Sequence, residues 1–97
     1  MTIELEGNIT TGYSWEYEIT TDGIVVEVYR DYIEGNTDEY AVGSGGMFTF
    51  TFSGVNPGET EIVFKYLRLW EKDIQPERIA IFEAVVDSNN RIRITQK

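Results

Sequence analysis

The amino-acid sequence predicts an all-β fold built as an antiparallel β-sandwich. Two observations carry that expectation. Apolar side chains recur at every second position in run after run, the period of a strand with one face in the core and one in water, and no stretch holds a helical period. The runs are short, rich in aromatic and β-branched residues, and separated by turn chemistry, which is the texture of an immunoglobulin-like sandwich.

The elements follow in order. Ile3 and Leu5 alternate with Glu4 and Glu6. Tyr13, Trp15, Tyr17 and Ile19 alternate with Ser14, Glu16, Glu18 and Thr20, and Trp15, in the middle of that strand, is assigned to the core. Ile24, Val26 and Val28 continue the pattern toward Ile33. Phe48, Phe50 and Phe52 alternate with Thr49 and Thr51; Ile62, Phe64 and Tyr66 share a face, with Val63, Lys65 and Leu67 opposite. The run 78–86 is apolar on both faces in part, as a more central strand would be, and Ile92 and Ile94 mark a last short strand. Asp22-Gly23 reads as a tight turn, Glu34-Gly35-Asn36-Thr37-Asp38 as a polar loop, and Asn56-Pro57-Gly58 as a type II turn. Asp87-Ser88-Asn89-Asn90 suits a hairpin connection, because Asn tolerates the left-handed region. A short helical turn around residues 72–76 is the one exception the pattern allows.

The 97 residues form one domain, 1–97, with no repeat, low-complexity segment or linker. There is no cysteine, so disulfides, thiolate catalysis and Cys-based metal sites are excluded. There is no histidine either, which removes the commonest general base and zinc ligand. No carboxylate cluster has calcium-loop spacing, so neither a metal nor a cofactor is expected, and the acidic residues read as a solvated face. A net charge of −9 argues against nucleic acid and against anionic membranes as partners. The apolar runs are too short to span a bilayer, and the start lacks the features of a signal peptide. The chain as written is expected to be cytoplasmic, or secreted if a leader has been removed.

Three segments break the expected polar-loop texture: Asn8-Ile9-Thr10-Thr11-Gly12-Tyr13-Ser14-Trp15, Gly43-Ser44-Gly45-Gly46, and Arg68-Leu69-Trp70. Each alone has a plain explanation. The first is a hairpin loop, the second a flexible connection or bulge, and Arg68 a side chain that stacks on or caps the strand it ends. Their order adds something. If residues 24–42 make one traverse of the sandwich, the three segments are two traverses apart and lie at the same end.

Taken together, the three segments resemble the loops of the chagasin-type inhibitors of cysteine peptidases. That family carries Asn-Pro-Thr-Thr-Gly-aromatic followed by Trp, then Gly-x-Gly-Gly, then Arg-Pro-Trp. The matching residues here are Asn8, Thr10, Thr11, Gly12, Tyr13 and Trp15, then Gly43, Gly45 and Gly46, then Arg68 and Trp70. The resemblance runs from Ile3 to Val86. It implies a non-enzymatic protein that inhibits papain-like cysteine peptidases reversibly and non-covalently, by plugging the active-site cleft with three loops. The implied contact residues are Asn8, Thr10, Thr11, Gly12, Tyr13, Gly43, Gly45, Gly46, Arg68 and Trp70, with Trp70 the exposed anchor.

Two departures replace family prolines, by Ile9 and Leu69, and each removes a φ constraint, so looser loops are expected. Members of the family usually have an additional strand before the one that leads to the first loop, a strand not found here, while Arg91-Ile92-Arg93-Ile94-Thr95 extends past the family's usual end. Either the C-terminal hairpin fills the missing strand's slot in a monomer, or a second copy does so in a strand-exchanged dimer. The competing function is an immunoglobulin-like binding or adhesion module of a larger surface protein, which the fold alone would allow.

Overall fold

The computed structural model describes residues 1–34 and 45–97. Among these residues the strands are β1 (Thr2–Gly7), β2 (Ser14–Ile19), β3 (Val25–Glu34), β4 (Gly46–Gly54), β5 (Gly58–Leu67), β6 (Arg78–Val86) and β7 (Ile92–Gln96). They form two antiparallel sheets, ordered β1-β4-β3 and β2-β5-β6-β7. The fold is all-β, as the period-two pattern requires.

The inward faces are those the alternation marks. Ile3, Leu5, Trp15, Phe48, Phe50, Phe52, Ile62, Phe64, Tyr66, Phe82 and Val86 are buried between the sheets. Phe64 is the hub. Its ring centroid lies 4.9 Å from Phe50, 5.4 Å from Tyr17 and 5.7 Å from Phe82. Such pairs add about 0.5–1.5 kcal/mol each beyond their buried area. β6 sits inside its sheet, with Ala80, Phe82, Ala84 and Val86 buried and Ile81 and Val85 half-buried on the other face. That is why its sequence is apolar on both sides.

The local departures from the sequence reading have physical causes. In β3 it is Val25 that is buried, while Val26 and Val28 face water. A register irregularity between Glu27 and Tyr29 then turns the strand. Beyond it the Tyr32 ring packs 4.7 Å from Phe48, and the Arg30 guanidinium lies 5.3 Å from the Phe50 centroid while gripping both Glu27 oxygens. At Asn56-Pro57-Gly58, Gly58 has φ 148°, not the roughly +80° of a type II turn. The chain there is held by Val55 N–H on the Ile24 carbonyl, and Ile24 Cδ1 lies where a β-carbon would stand. No helix forms at residues 72–76, where Asp73 takes φ 61° instead.

The Asp87–Asn90 turn matches its reading. Asn90 has φ 61°, and Asp87 Oδ1 accepts from the N–H groups of Asn89 and Arg91. It delivers β7 antiparallel to β6, with Ile92 and Ile94 packed against the core. The same chain thus covers that side of the sheet.

Candidate functional site

Register alone gathers the singled-out segments. Gly7, ending β1, pairs with Gly46, which opens β4; Ser14, opening β2, pairs with Leu67, which ends β5. The connections after β1, before β4 and after β5 therefore emerge at one end of the sandwich. Gly43 lies outside the described residues, so the middle segment is seen from Gly45 onward.

The first segment is a small, fully wired turn rather than an open hairpin loop. Residues Ile9–Thr11 form a 3-10 turn capped by Asn8 and ended by Gly12 at φ 83°. Asn8 has extended backbone, φ −128° and ψ 102°, and its Oδ1 accepts from Thr10 N–H at 3.0 Å and from the Thr10 hydroxyl. The Asn8 carbonyl accepts from the Thr11 hydroxyl at 2.7 Å and from Thr11 N–H at 3.3 Å, and the Ile9 carbonyl from Gly12 N–H at 3.1 Å. This is an N-cap in which a short polar side chain satisfies the donors that a helical turn leaves open. Both threonine hydroxyls thus donate within the turn, on an exposed tip, and each oxygen keeps acceptor capacity.

The turn explains why losing the family proline does not unwind the loop. Ile9 occupies the first helical position, where proline is favoured because its missing N–H is one that the turn cannot use. Asn8, just before it, already holds the extended conformation that a following proline demands. Ile9→Pro is therefore expected to stabilise the domain by about 0.4–1 kcal/mol, through the unfolded chain. Thermal unfolding checks this; a fall in the midpoint would show that the turn needs the isoleucine backbone.

The third segment locks onto the first. Arg68 Nε donates to the Thr11 carbonyl at 3.0 Å, its guanidinium lies 4.4 Å from the Tyr13 centroid, and Nη1 reaches Glu71 at 3.4 Å. The indole of Trp70 lies across Gly12, so closely that a β-carbon at residue 12 would overlap it. Trp70 remains 68% exposed and Leu69 67%, and Ile9 beside the finger is 48% exposed. An apolar rim thus borders the threonine tip. Gly45, at φ 86°, approaches the Gly7 carbonyl and Asn8 Cβ, bringing the glycine segment against the base of the finger.

Tyr13 is half-buried and stacked on Tyr66 at 5.0 Å, so it supports the finger from below. Trp15 is buried, as assigned, and its Nε1 donates to the Glu6 carbonyl at 3.0 Å. Sequence reasoning passed over two neighbours. The Tyr66 hydroxyl accepts from Asn8 N–H at 2.7 Å, and Arg78, stacked 4.6 Å from the Tyr66 centroid, also donates to the Glu6 carbonyl. An arginine heading an otherwise apolar strand was the available signal. Among the described residues, no group of three or more His, Cys, Asp or Glu could hold a metal ion.

The chain is similar to known proteins. The family model for chagasin family peptidase inhibitor I42 matches residues 1–86. Amoebiasin-1 of Entamoeba histolytica is 35% identical over 68 residues, 70% of this chain and 64% of that protein. The crystal structure of the cysteine protease inhibitor EhICP2 from the same organism superposes with a TM-score of 0.76 at 27% identity, covering 87% of this chain and 75% of the other.

Proposed function

This chain belongs to the chagasin family of peptidase inhibitors, and from that premise we propose that it inhibits papain-like cysteine peptidases by filling the active-site cleft with the loops at one end of its sandwich. The family and the structural neighbour are inhibitors, not enzymes. The observation that carries the proposal is the joining of the Asn8–Gly12 finger to Arg68 and Trp70 by direct contact, with Gly45 and Gly46 alongside.

The chemistry suits the task. A papain-like cleft is narrow, with a thiolate and an imidazolium at its floor. Thr10, Thr11 and Gly12 present a slim tip whose threonine hydroxyl oxygens can accept from an imidazolium or a backbone N–H. Trp70, with Leu69 beside it, offers the large exposed anchor that interfaces favour. The finger also resists cleavage. A scissile peptide must turn its carbonyl to the nucleophile and the oxyanion donors. Here the carbonyls of Asn8, Ile9 and Thr11 already accept bonds from within the chain. Because the turn is built before binding, little ordering cost opposes association.

The test is titration of papain with the protein, followed with a fluorogenic peptide. The expected result is competitive inhibition at or below about micromolar concentration, reversed by dilution, with the inhibitor's mass unchanged. No inhibition of papain and a cathepsin L-like enzyme by a folded sample would reject the proposal.

A further inference from the structure

We propose that Tyr66 is a positioning residue for the finger, its buried hydroxyl fixing where the Asn8 cap, and so the threonine tip, stands above the sandwich. The inference rests on the reading of the finger as the part that enters a peptidase cleft, and it assigns a role to a core residue that touches no partner.

The finger could swing only about its two stems. One is the end of β1, the other the passage from Gly12 into β2. Side chains from elsewhere in the chain clamp both. At the first stem, the Glu6 carbonyl receives Trp15 Nε1 and the Arg78 guanidinium. At the second, the Thr11 carbonyl receives Arg68 Nε. Between them stands Tyr66, whose hydroxyl accepts the Asn8 N–H at 2.7 Å across 58 residues of sequence. Asn8 is the residue from which the whole turn is capped. A displacement of its backbone would move both threonines with it, because Thr10 bonds to its side chain and Thr11 to its carbonyl.

The hydroxyl is itself held rigidly. Tyr66 is 6% exposed. Its ring is stacked 5.0 Å from Tyr13, lies 5.0 Å from Trp15, and carries Arg78 at 4.6 Å. A phenol so confined has one place to put its oxygen. The core thus sets the height of the tip through the Tyr66 hydroxyl, which accepts from Asn8 N–H and donates to the Asn8 carbonyl at 3.5 Å, and the stack transmits that position from β5 and β6 to the loop. If the ring served only to fill the core, its hydroxyl would be dispensable.

Tyr66→Phe separates these roles, since phenylalanine keeps the stack and removes only the hydroxyl, with both of its contacts to Asn8. The expected result is a roughly tenfold rise in the inhibition constant toward papain. Amide hydrogen exchange should quicken at Asn8, Thr10 and Thr11, with exchange in β5 and β6 unchanged. Tyr17→Phe is the control. It removes a phenol from the same sandwich away from the finger and should leave both readouts at wild type. A Tyr66→Phe protein that inhibits within twofold of wild type with unaltered finger exchange overturns the proposal, as does an equal loss from Tyr17→Phe. If the wild-type protein fails to inhibit papain, the peptidase reading falls and the exchange measurement alone decides: faster exchange confined to the finger upholds the positioning role, and unchanged exchange overturns it.

Discussion

Trp70→Ala is expected to weaken inhibition of papain by roughly 30- to 1,000-fold, the 2–4 kcal/mol lost when a tryptophan hot spot is truncated. The domain should stay folded. Trp70 is 68% exposed, and its intramolecular seat is the face of Gly12 rather than the core. Truncation therefore removes apolar area that is already largely in water and leaves the Phe50–Phe64–Phe82 centre untouched. Loss of binding with an unchanged thermal midpoint is the signature sought, read by peptidase titration alongside thermal unfolding. Wild-type inhibition by the variant would mean that the third loop contributes no anchor, and the three-loop arrangement would have to be abandoned.

How much of this was legible in the sequence depends on the range of the interaction concerned. Strand faces are local. Phe48, Phe50 and Phe52, or Ile62, Phe64 and Tyr66, declare themselves by period two, and they are buried as read. The clustering of the loops was also legible, because it follows from counting traverses, and the pairing of Gly7 with Gly46 and Ser14 with Leu67 bears it out. The form of the finger was not. Asn-Ile-Thr-Thr-Gly fits a hairpin loop as well as a capped turn, and what separates them is the set of bonds from Asn8 to Thr10 and Thr11 together with a phenol 58 residues away. Nor was it legible that Ile9 would sit in a turn held by the side-chain caps of Asn8. Val26 and Val28 were misread because apolar residues stand on both faces at Ile24, Val25 and Val26, so the alternation does not say that Val25 is the one turned inward, and the irregularity after Glu27 leaves no mark in composition. Arg68 was open between a structural and a contacting role. Its bonds to Thr11 and Glu71 and its place over Tyr13 make it a brace between two loops.

That bracing leads to the second large effect. Gly12→Ala adds a single methyl, yet it acts on two loops at once. At φ 83° an alanine carries about 1–2 kcal/mol of steric cost that glycine does not. The new β-carbon would also overlap the Trp70 indole, whose Cζ2 and Cζ3 lie 3.0 and 3.3 Å from its position. The backbone there is tied by Gly12 N–H to the Ile9 carbonyl, so the exposed indole gives way rather than the turn. Inhibition should weaken by roughly 100-fold, with most of the loss coming from the displaced anchor. This origin is testable by a double-mutant cycle. If Gly12 matters mainly as the seat of Trp70, the same substitution on the Trp70→Ala background should cost far less, giving a coupling of about 1–3 kcal/mol between contacting residues. Strict additivity would show that the two positions contribute independently, and the indole would then need a different support from the one that Gly12 provides.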